Sequence, residues 1–402
     1  MTSTHTITPE IVMDEVGLDK HCLTLTDCQR PFVDMLKNWI KKPRNMLAIV
    51  SGGPGTGKTY VVKSALNYIQ TTQLRMSFTA RSAIAIGGKT IHSALGLHAQ
   101  NPVYKRLEKE LQEETDLRKS IVKSQEIVSQ FKCDIYPNVI VIDEVSMING
   151  WFMYWLILFF MKRTEMPLLF ICIGDPHQLN PVKSIHNIFS IVFAQIKFDV
   201  FKIYLKECKR FVPEYELLIN TLRSFVNKNS ETGMFTFVCE NFNVVEDIDR
   251  NLLMQADRAM AFRNETVRKY NSFYLKNKIQ GPEILIENDL VLKSGCLVYV
   301  TRNGCSQACN GTQLIFQNYD FKNKTAICKY PKTNLEVKVE VDSIFGKMPL
   351  VLGFAATIHK YQGDTIDDEK ILINFDGNRN LNMVYTALSR VRSMNQILAI
   401  EL

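Results

Sequence analysis

The sequence lacks the marks of an exported, membrane-spanning or disulfide-linked protein. Its N-terminus has no basic start followed by an apolar stretch, so no secretory signal is predicted. The one strongly apolar run, from Trp151 to Met161, is too short to span a bilayer and predicts a buried helix. The ten cysteines form no C-x-x-C pair, which argues against a disulfide framework and a zinc ribbon. We expect an intracellular protein of a reducing compartment, in the cytoplasm or the nucleus depending on the host.

Repeats and long low-complexity linkers are also missing, so a solenoid is not predicted. Cys296, Cys305 and Cys309 lie close together in the sequence, but their spacing fits no standard zinc pattern. Thiols packed in a small β module are the favoured interpretation.

The composition is that of a folded enzyme with more than one core. Hydrophobic residues make up 46% of the 402 residues and charged residues 22%, which is enough for two or three globular units. Lys and Arg total 48 against 41 Asp and Glu. The net charge of +7 mildly favours a polyanionic partner.

Short apolar runs without polar alternation occur four times in the first half of the chain. Such runs are typical of strands covered on both faces, and helical patterns such as TYVVKSALNYI lie between them. The alternation predicts an α/β domain with a parallel sheet. The four runs are Met46 to Ser51, Met76 to Thr79, Val139 to Ile142 and Leu168 to Ile173.

Two segments interrupt this pattern. Residues 102–134 are rich in Lys and Glu, with apolar residues at helical spacing, and they predict a solvated helical insertion. A second α/β pattern follows Ile185, and short alternating segments such as LEVKVEV within residues 304–345 predict a small β module inserted in it.

The segment Gly52-Gly53-Pro54-Gly55-Thr56-Gly57-Lys58-Thr59 matches G-x-x-x-x-G-K-[ST]. It follows an apolar strand and opens a helical pattern, which is the context that a phosphate-binding loop requires. Glycines allow backbone N–H groups to face phosphates, and the helix N-terminus adds partial positive charge. Lys58 is predicted to neutralise the β and γ phosphates of ATP, and Thr59 to offer its hydroxyl to Mg²⁺.

Polar residues also follow the two later strands. Asp143 and Glu144 come directly after VIVI, where Asp143 is the expected Mg²⁺ partner and Glu144 the group that takes a proton from the attacking water. Gln178 in GDPHQL follows the next strand, at the edge where open α/β sheets bind ligands, and is expected to orient water or sense the γ-phosphate.

The ordered motifs resemble those of superfamily 1 helicases, in the branch containing RecD, Dda and the petite-integration-frequency helicases. GGPGTGKT, IVIDEVSMI and GDPHQLNPV resemble motifs I, II and III, and FTARSAIAIGGKTIHSALGL resembles motifs Ia and Ib. Downstream, LVLGFAATIHKYQGDTID resembles motif V and VYTALSRVRS resembles motif VI. The resemblance extends from about Leu25 to Ile400.

The resemblance implies an α/β fold with two RecA-like P-loop NTPase domains. The first, 1A, would span residues 1–190, with a helical insertion, 1B, at about 97–135. The second, 2A, would span residues 191–402, with a small SH3-like β insertion, 2B, at about 304–346. ATP would close the cleft between the domains and hydrolysis would reopen it.

The resemblance also assigns further nucleotide residues. Arg390 would reach the γ-phosphate, while Tyr60, Gln362 and Gly363 would join the nucleotide site and Gln29 would contact adenine. Arg210 in YLKECKRF resembles the motif IV arginine, but the usual Arg-Gln pairing is absent and Lys209 stays an alternative. Asn180 stands where motif III commonly has proline, which leaves Gln178 intact.

A nucleic-acid track is implied by the same motifs, because single strands are held by cations and polar groups on phosphates. For His92 and His359 a purely structural role remains open, and for Phe78 core packing is the favoured role. The track residues are Thr79, Arg81, Thr90, His92, Arg263, Asn264, Thr357, His359 and Lys360.

The implied function is an ATP-dependent DNA helicase that moves 5′ to 3′ on single-stranded DNA and unwinds duplexes in replication, recombination or repair. Its cofactors would be ATP and Mg²⁺. Its partners would be single-stranded DNA and single/double-strand junctions, with no membrane, and it would act as a monomer or associate weakly on DNA. Two rivals stay open: an RNA-directed helicase of the same superfamily, and a nucleotide-gated binding subunit without unwinding activity.

Overall fold

The computed structural model describes residues 12–97, 136–181, 187–189, 198–302, 306, 308–331, 333–343 and 346–402. The chain divides into two compact units. The first ends at Arg210, and the second comprises Thr79–Arg81 and everything from Phe211 onward. The predicted boundary at 190–191 falls among residues outside the described part, and so does nearly all of the predicted insertion at 97–135. These domain limits stay predictions.

The first unit is built on parallel strands joined by helices. A short 3₁₀ helix, Val145–Met147, follows β6, and the first two residues of α4 group with the second unit. The elements in chain order are β1 (Val12–Met13), α1 (Glu15–Cys22), α2 (Arg30–Lys41), β2 (Met46–Gly52), α3 (Lys58–Leu66), β3 (Ile69–Gln70), β4 (Gln73–Ser77), α4 (Ala80–Ile86), β5 (Lys89–Thr90), α5 (Ile91–Ala94), β6 (Val139–Asp143), α6 (Gly150–Met161), β7 (Leu169–Gly174) and β8 (Asp199–Leu205).

Six of these strands form one sheet in the order β5-β4-β6-β7-β2-β8, and every neighbouring pair is parallel. Strands β6 and β7 are buried along their whole length, as expected for apolar runs covered on both faces. Since the strands are parallel, the carboxyl ends of β2, β6 and β7 lie at the same edge of the sheet. The phosphate loop begins at the end of β2, Asp143 is the last residue of β6, and Asp175 follows β7.

Helix α6 is the apolar run from the sequence, and its burial confirms the predicted buried helix. Trp155 and Phe159 are buried in the core beneath the sheet and their rings lie 5.2 Å apart. Among the described residues, no helix combines the length and the apolar character that crossing a membrane requires.

In its described residues, the second unit contains two five-stranded sheets and a separate antiparallel pair of strands, Ile284–Ile286 and Leu290–Leu292. Short 3₁₀ helices lie at Glu287–Asp289, Ile358–Tyr361 and Met394–Gln396. The other elements are α7 (Pro213–Lys228), α8 (Glu231–Asn241), β9 (Val244–Val245), α9 (Arg250–Gln255), β10 (Arg258–Ala261), α10 (Asn264–Asn277), β11 (Ile284–Ile286), β12 (Leu290–Leu292), β13 (Leu297–Val300), β14 (Gln313–Asp320), β15 (Thr325–Lys329), β16 (Glu336–Glu340), β17 (Leu350–Leu352), β18 (Ala355–Thr357), β19 (Ile371–Asn374), α11 (Leu381–Leu388) and β20 (Ile397–Glu401).

The first sheet of this unit is parallel, with the order β18-β10-β19-β20-β9. The second is antiparallel, with the order β16-β15-β14-β13-β17. Strand β16 alternates exposed and buried residues, which is the period-two pattern seen in LEVKVEV. The antiparallel sheet runs from Leu297 to Leu352, so two of its strands lie outside the predicted limits of 304–346. Both units have the predicted α/β class.

Arg258 links the parallel sheet of the second unit to its five-stranded antiparallel sheet. This arginine on β10 is 7% exposed. Its guanidinium donates to the Gly353 carbonyl at 3.2 Å and to Gln313 Oε1 at 2.8 Å, and it pairs with Glu369 at 3.4 Å. A buried arginine is stable only when its donors are satisfied, so these contacts fix where the antiparallel sheet joins the parallel one.

The described cysteines are all free thiols. Cys296 is fully buried in the core of the second unit, and burial raises the pKa of its thiol to about 11. Cys309 is exposed and Cys305 lies outside the described residues. The packed-thiol interpretation is therefore confirmed for Cys296 and wrong for Cys309.

Candidate nucleotide and nucleic-acid sites

The phosphate loop occupies the turn between β2 and α3. Gly55 and Gly57 both have φ of +77°, a left-handed conformation that favours glycine. Space is also restricted: a Cβ on Gly55 would lie 2.4 Å from Arg210 Cβ, and one on Gly57 would lie 2.7 Å from Gln29 Nε2. The loop therefore requires these glycines for both conformation and close approach.

Lys58, the first residue of α3, points back over the loop. Its Nζ donates to the carbonyls of Gly52 at 3.0 Å and Gly53 at 2.8 Å. Burial lowers the pKa of Lys58, and the charges of Asp175, Glu144 and Asp143 oppose that shift. The ammonium is thus held in a partly buried position on the carbonyls of the loop, within the electrostatic influence of three acids.

The pair at the end of β6 forms the acidic part of this site. The Thr59 hydroxyl donates to Asp143 Oδ2 at 2.8 Å, and the Glu144 backbone N–H donates to Asp143 Oδ1 at 2.8 Å. Burial, reinforced by the charge of Glu144, raises the pKa of Asp143 to about 7. Glu144 has φ of +56°, an uncommon value for a residue with a side chain.

The oxygens of Thr59 and Asp143 suit Mg²⁺, which prefers hard oxygen ligands and is usually bound through one or two carboxylates together with substrate phosphates. A buried carboxylate with a raised pKa beside a second acid is also a group that a cation would stabilise. In the described part of the chain, no group of three or more His, Cys, Asp or Glu side chains is placed to hold a metal by itself. The residues therefore fit Mg²⁺ that arrives with a nucleotide.

The third strand end contributes Asp175, His177 and Gln178. His177 donates its backbone N–H to Asp175 Oδ1 at 3.0 Å, and its ring Nδ1 lies 3.1 Å from the same oxygen. Burial acts to raise the pKa of Asp175, but the His177 contacts and the charge of Lys58 outweigh it and hold that pKa below its usual value. Gln178 is 4% exposed and its backbone N–H donates to the Asp175 carbonyl at 3.2 Å.

Two other segments pack against the loop. Gln29 precedes α2, and its Nε2 donates to the Thr56 carbonyl at 3.2 Å while its Oε1 accepts from the Thr26 N–H at 3.2 Å. On the other side, the Cys208 thiol donates to the Pro54 carbonyl at 3.3 Å. The structure thus places Gln29 on the loop itself.

Both candidates for the motif IV cation lie beside Gly55. Lys209 donates its backbone N–H to the Gly55 carbonyl at 2.9 Å, whereas the positive charge of Arg210 lowers the pKa of Lys58. The electrostatic influence of Arg210 on Lys58 favours Arg210, but Lys209 stays an alternative.

Tyr60, which the resemblance assigns to the nucleotide site, is 55% exposed on α3.

In the second unit, Arg390 follows α11 and is 1% exposed. Its guanidinium donates to the Thr386 carbonyl at 2.9 Å, the Asp364 carbonyl at 3.2 Å and Ser389 Oγ at 2.8 Å. Gln362 is fully buried, and Gly363 has φ of +80° in the same turn as Asp364. The loop that resembles motif V therefore holds the arginine that resembles motif VI.

The predicted track residues of the first unit are Thr90 and His92. Thr90 caps α5, its Oγ1 accepting the Ser93 N–H at 3.2 Å. The ring of His92 lies 6.4 Å from that of Phe78 in an edge-on arrangement. Phe78 is 36% exposed, so the core-packing interpretation of this residue is wrong.

A cavity of about 460 Å³ in the second unit brings together three predicted track residues, Asn264, Thr357 and Lys360. Four polar residues that sequence reasoning missed, Arg268, Asn271, Ser272 and Tyr299, also line it. Burial lowers the pKa of Lys360. The wall of the cavity is mainly apolar, but its two cations, Arg268 and Lys360, would suit an anionic group of a ligand.

The other predicted track residues of this unit lie elsewhere. Arg263 precedes α10, and its backbone N–H donates to Asp376 Oδ2 at 2.7 Å. Burial lowers the pKa of His359. Thr79 and Arg81 group with the second unit, where Arg81 forms an ion pair with Asp364.

Comparison with known proteins finds relatives of similar sequence and solved structures of similar fold. Residues 39–184 match the model of an AAA domain. The chain is 23% identical to the ATP-dependent DNA helicase Pif1 of Campylobacter jejuni, over 87% of each chain, and 22% identical to that of Bdellovibrio bacteriovorus, over 86% of this chain and 82% of the relative. Bacteroides Pif1 bound to single-stranded DNA superposes with a TM-score of 0.66 at 21% identity, covering 93% of this chain and 92% of that one. Over most of its length the chain is therefore similar in sequence to Pif1 helicases, and it has their fold.

A second solved structure agrees. The Pif1 helicase of Candida albicans superposes with a TM-score of 0.65 at 20% identity, covering 94% of each chain. These similarities confirm the resemblance inferred from the motifs, and the shared fold confirms the prediction of two RecA-like domains.

Arg268, Tyr299 and His177 were not predicted as site residues from the sequence. Arg268 follows Asn264 by one helical turn, a spacing that places both on one face of α10 and that is visible in the sequence. Tyr299 on β13 offered no comparable pattern. His177 lies inside GDPHQL, but only the fold shows that its ring faces Asp175.

Proposed function

We propose that the chain is an ATP-dependent DNA helicase that moves 5′ to 3′ on single-stranded DNA and unwinds duplexes in replication, recombination or repair. The observation that carries the proposal is the convergence of Lys58, Thr59, Asp143, Glu144 and Gln178 at one edge of the first sheet. A binding module has no need of a partly buried lysine, two acids and a glutamine in one place. The relatives are named ATP-dependent DNA helicases, which supports the same function here.

In the proposed reaction, Lys58 neutralises phosphate charge while the backbone N–H groups of the loop hold the phosphates. Thr59 and Asp143 hold Mg²⁺, which when bound neutralises charge that develops on the β and γ phosphates. Glu144 takes the proton of the attacking water, and Gln178 orients that water.

Two arginines complete the proposed nucleotide chemistry. Arg210 adds positive charge near Lys58, and Arg390 neutralises charge on the γ-phosphoryl oxygens. Gln29 positions the loop through its hydrogen bond to the Thr56 carbonyl. Its proposed contact with adenine rests on the motif resemblance. Tyr60, Gln362 and Gly363 line the nucleotide.

The proposed nucleic-acid track uses the cavity of the second unit as its best-defined part. Lys360 and Arg268 would pair with phosphates, and Tyr299 offers an aromatic face beside them. Thr79, Arg81, Thr90, His92, Arg263 and His359 are proposed as further contacts. Single-stranded DNA and single/double-strand junctions are the proposed partners, bound by a monomer or by copies that associate weakly on DNA.

Strand displacement tests the function and its direction. Duplexes with a 5′ or a 3′ single-stranded tail are incubated with ATP and Mg²⁺, beside Lys58→Ala and the control Lys63→Ala. Lys63 lies on the same helix α3 and donates to the Ala85 carbonyl, away from the loop. We expect displacement only from the 5′-tailed duplex, loss of activity by at least about a hundredfold in Lys58→Ala, and normal activity in Lys63→Ala.

The rival functions predict other results. Hydrolysis stimulated by the tail without displacement would support a nucleotide-gated binding subunit. Displacement of only the 3′-tailed duplex would contradict the proposed direction. Stronger stimulation by an RNA tail than by a matched DNA tail would favour an RNA-directed enzyme, because the 2′-hydroxyl distinguishes the two.

A further inference from the structure

Two arginines with different proposed partners converge on Asp364 in the second unit. The carboxylate of Asp364 forms an ion pair with the Arg81 guanidinium, and its main-chain carbonyl accepts a hydrogen bond from Arg390 at 3.2 Å. Arg81 belongs to the proposed nucleic-acid track and Arg390 to the proposed nucleotide chemistry. Asp364 therefore contacts one arginine of the proposed nucleic-acid track and one arginine of the proposed nucleotide site.

The ion pair between Arg81 and Asp364 is partly shielded but reachable. The Arg81 side chain is 29% exposed and that of Asp364 is 20% exposed. A phosphate diester offers a guanidinium the same kind of charge-assisted hydrogen bond that a carboxylate does. A strand phosphate and the Asp364 carboxylate are thus competitors for the Arg81 guanidinium.

Asp364 is also held firmly within its loop. Its backbone N–H donates to the Tyr361 carbonyl at 3.0 Å, and Ile366, two residues on, donates to the Arg390 carbonyl at 2.8 Å. The Arg390 guanidinium is bound by Thr386, Asp364 and Ser389, all of its own unit. A shift of the Asp364 segment would change what holds Arg390.

We propose that Asp364 is a positioning residue that couples strand binding to Arg390. Without a strand, its carboxylate holds Arg81 and the loop keeps Arg390 bound within the second unit. When a strand phosphate binds Arg81 instead, the ion pair with Asp364 is lost and the loop can shift. Arg390 then becomes available for hydrolysis. The contact is an autoinhibitory brake, and this inference rests on the proposed function.

The charge environment agrees with a brake that is easily released. Burial raises the pKa of Asp364, and the positive charges of Arg81, Arg390 and Arg258 only partly oppose that shift. When Arg81 leaves, the carboxylate loses its nearest cation, and its raised pKa means that it can take up a proton rather than stay as a buried unpaired charge.

Asp364→Asn tests the proposal against Asp367→Asn. Asp367 lies in the same loop and its carboxylate accepts from Arg392 at 2.7 Å, so the control removes an equal charge from a similar ion pair. Binding of a fluorescent single-stranded DNA and ATP hydrolysis are measured with and without the strand. A general gain of positive charge affects both variants alike, whereas release of Arg81 affects only Asp364→Asn.

We expect Asp364→Asn to bind the strand about tenfold more tightly than Asp367→Asn, the difference of roughly one hydrogen bond to a charged group. Its hydrolysis without a strand should rise several-fold, while its rate at saturating strand stays unchanged. Asp364→Glu, which keeps the charge, should restore the strand-free rate toward that of the wild type. The double variant Arg81→Gln with Asp364→Asn should bind no more tightly than Arg81→Gln alone.

Arg81→Gln tests the brake from its other side and replaces Asp364→Asn if that variant does not fold. It should raise strand-free hydrolysis while weakening strand binding, a combination that a purely structural ion pair does not produce. Equal binding and equal strand-free rates in Asp364→Asn and Asp367→Asn overturn the proposal. If instead the wild type neither binds the strand nor hydrolyses ATP in response to it, the proposed function itself has failed.

Discussion

Asp143 is a site residue whose ionisation depends on the fold. It is 4% exposed, next to Glu144 and hydrogen-bonded to Thr59. Its pKa is raised from 3.8 to about 7, so the folded protein binds this proton more tightly than the unfolded chain does. The stabilisation is fully present below the unfolded pKa of 3.8 and is lost as the pH rises through the folded value of about 7.

We therefore predict that Asp143→Asn gains stability over the wild type as the pH rises, when Mg²⁺ is removed by a chelator. Between pH 5 and pH 8 the difference in melting temperature should move in favour of the variant by on the order of a few degrees. Thermal unfolding at both pH values measures it. Asp367→Asn, a change at a partly exposed carboxylate, should follow the wild type. A constant difference between Asp143→Asn and the wild type would contradict the prediction.

At the scale of elements, the turn between β2 and α3 is the most tightly constrained. Gly55 combines a positive φ with a missing Cβ that would collide with Arg210, and the main chain of Lys209 is hydrogen-bonded to the Gly55 carbonyl. The segment after β8 thus forms one wall of the loop. A side chain at Gly55 must strain the backbone and displace this wall as well.

We predict that Gly55→Ala impairs the enzyme more than Gly295→Ala does. Gly295 also has a positive φ, of +86°, but a Cβ there would meet nothing within 4 Å. Gly295→Ala should therefore show only the backbone strain, about 1–2 kcal/mol of unfolding free energy, with normal hydrolysis. Gly55→Ala should lose more stability and reduce kcat/KM for ATP by at least about tenfold. Phosphate release and chemical unfolding measure both, and similar behaviour of the two variants would refute the collision.

For the molecule as a whole, the net charge of +7 says less about nucleic-acid binding than the positions of the cations do. Two of them, Arg268 and Lys360, line the cavity of the second unit. Each phosphate contact releases condensed counterions, so each contributes to the salt dependence of nucleic-acid binding.

We predict that Arg268→Ala lowers the slope of log affinity for single-stranded DNA against log salt by about 0.7, the value for one phosphate on a single strand. Lys276→Ala is the control, because Lys276 is exposed on the same helix α10 but does not line the cavity. Titrations at several salt concentrations give both slopes. An equal change in both variants would mean that α10 contributes only general charge.

The sequence by itself determined the local chemistry of this protein. Apolar runs, the glycine-rich loop and the acids at the end of β6 depend on neighbours a few residues apart, because strand burial and loop conformation are short-range properties. The α/β class and the buried helix α6 follow from such patterns, and both are confirmed. The resemblance to superfamily 1 helicases is confirmed as well. Roles of individual site residues remain proposals.

Only the tertiary structure decided which distant residues meet. Parallel strand order brings Arg210 to Gly55, and the junction of β13, β18 and α10 places Tyr299 with Asn264 and Lys360. The exposure of Phe78 and the shared contacts of Asp364 likewise depend on packing between segments far apart in the chain. The spacing of residues along the chain does not reveal such packing, because the packing is set by how whole sheets and helices cover one another.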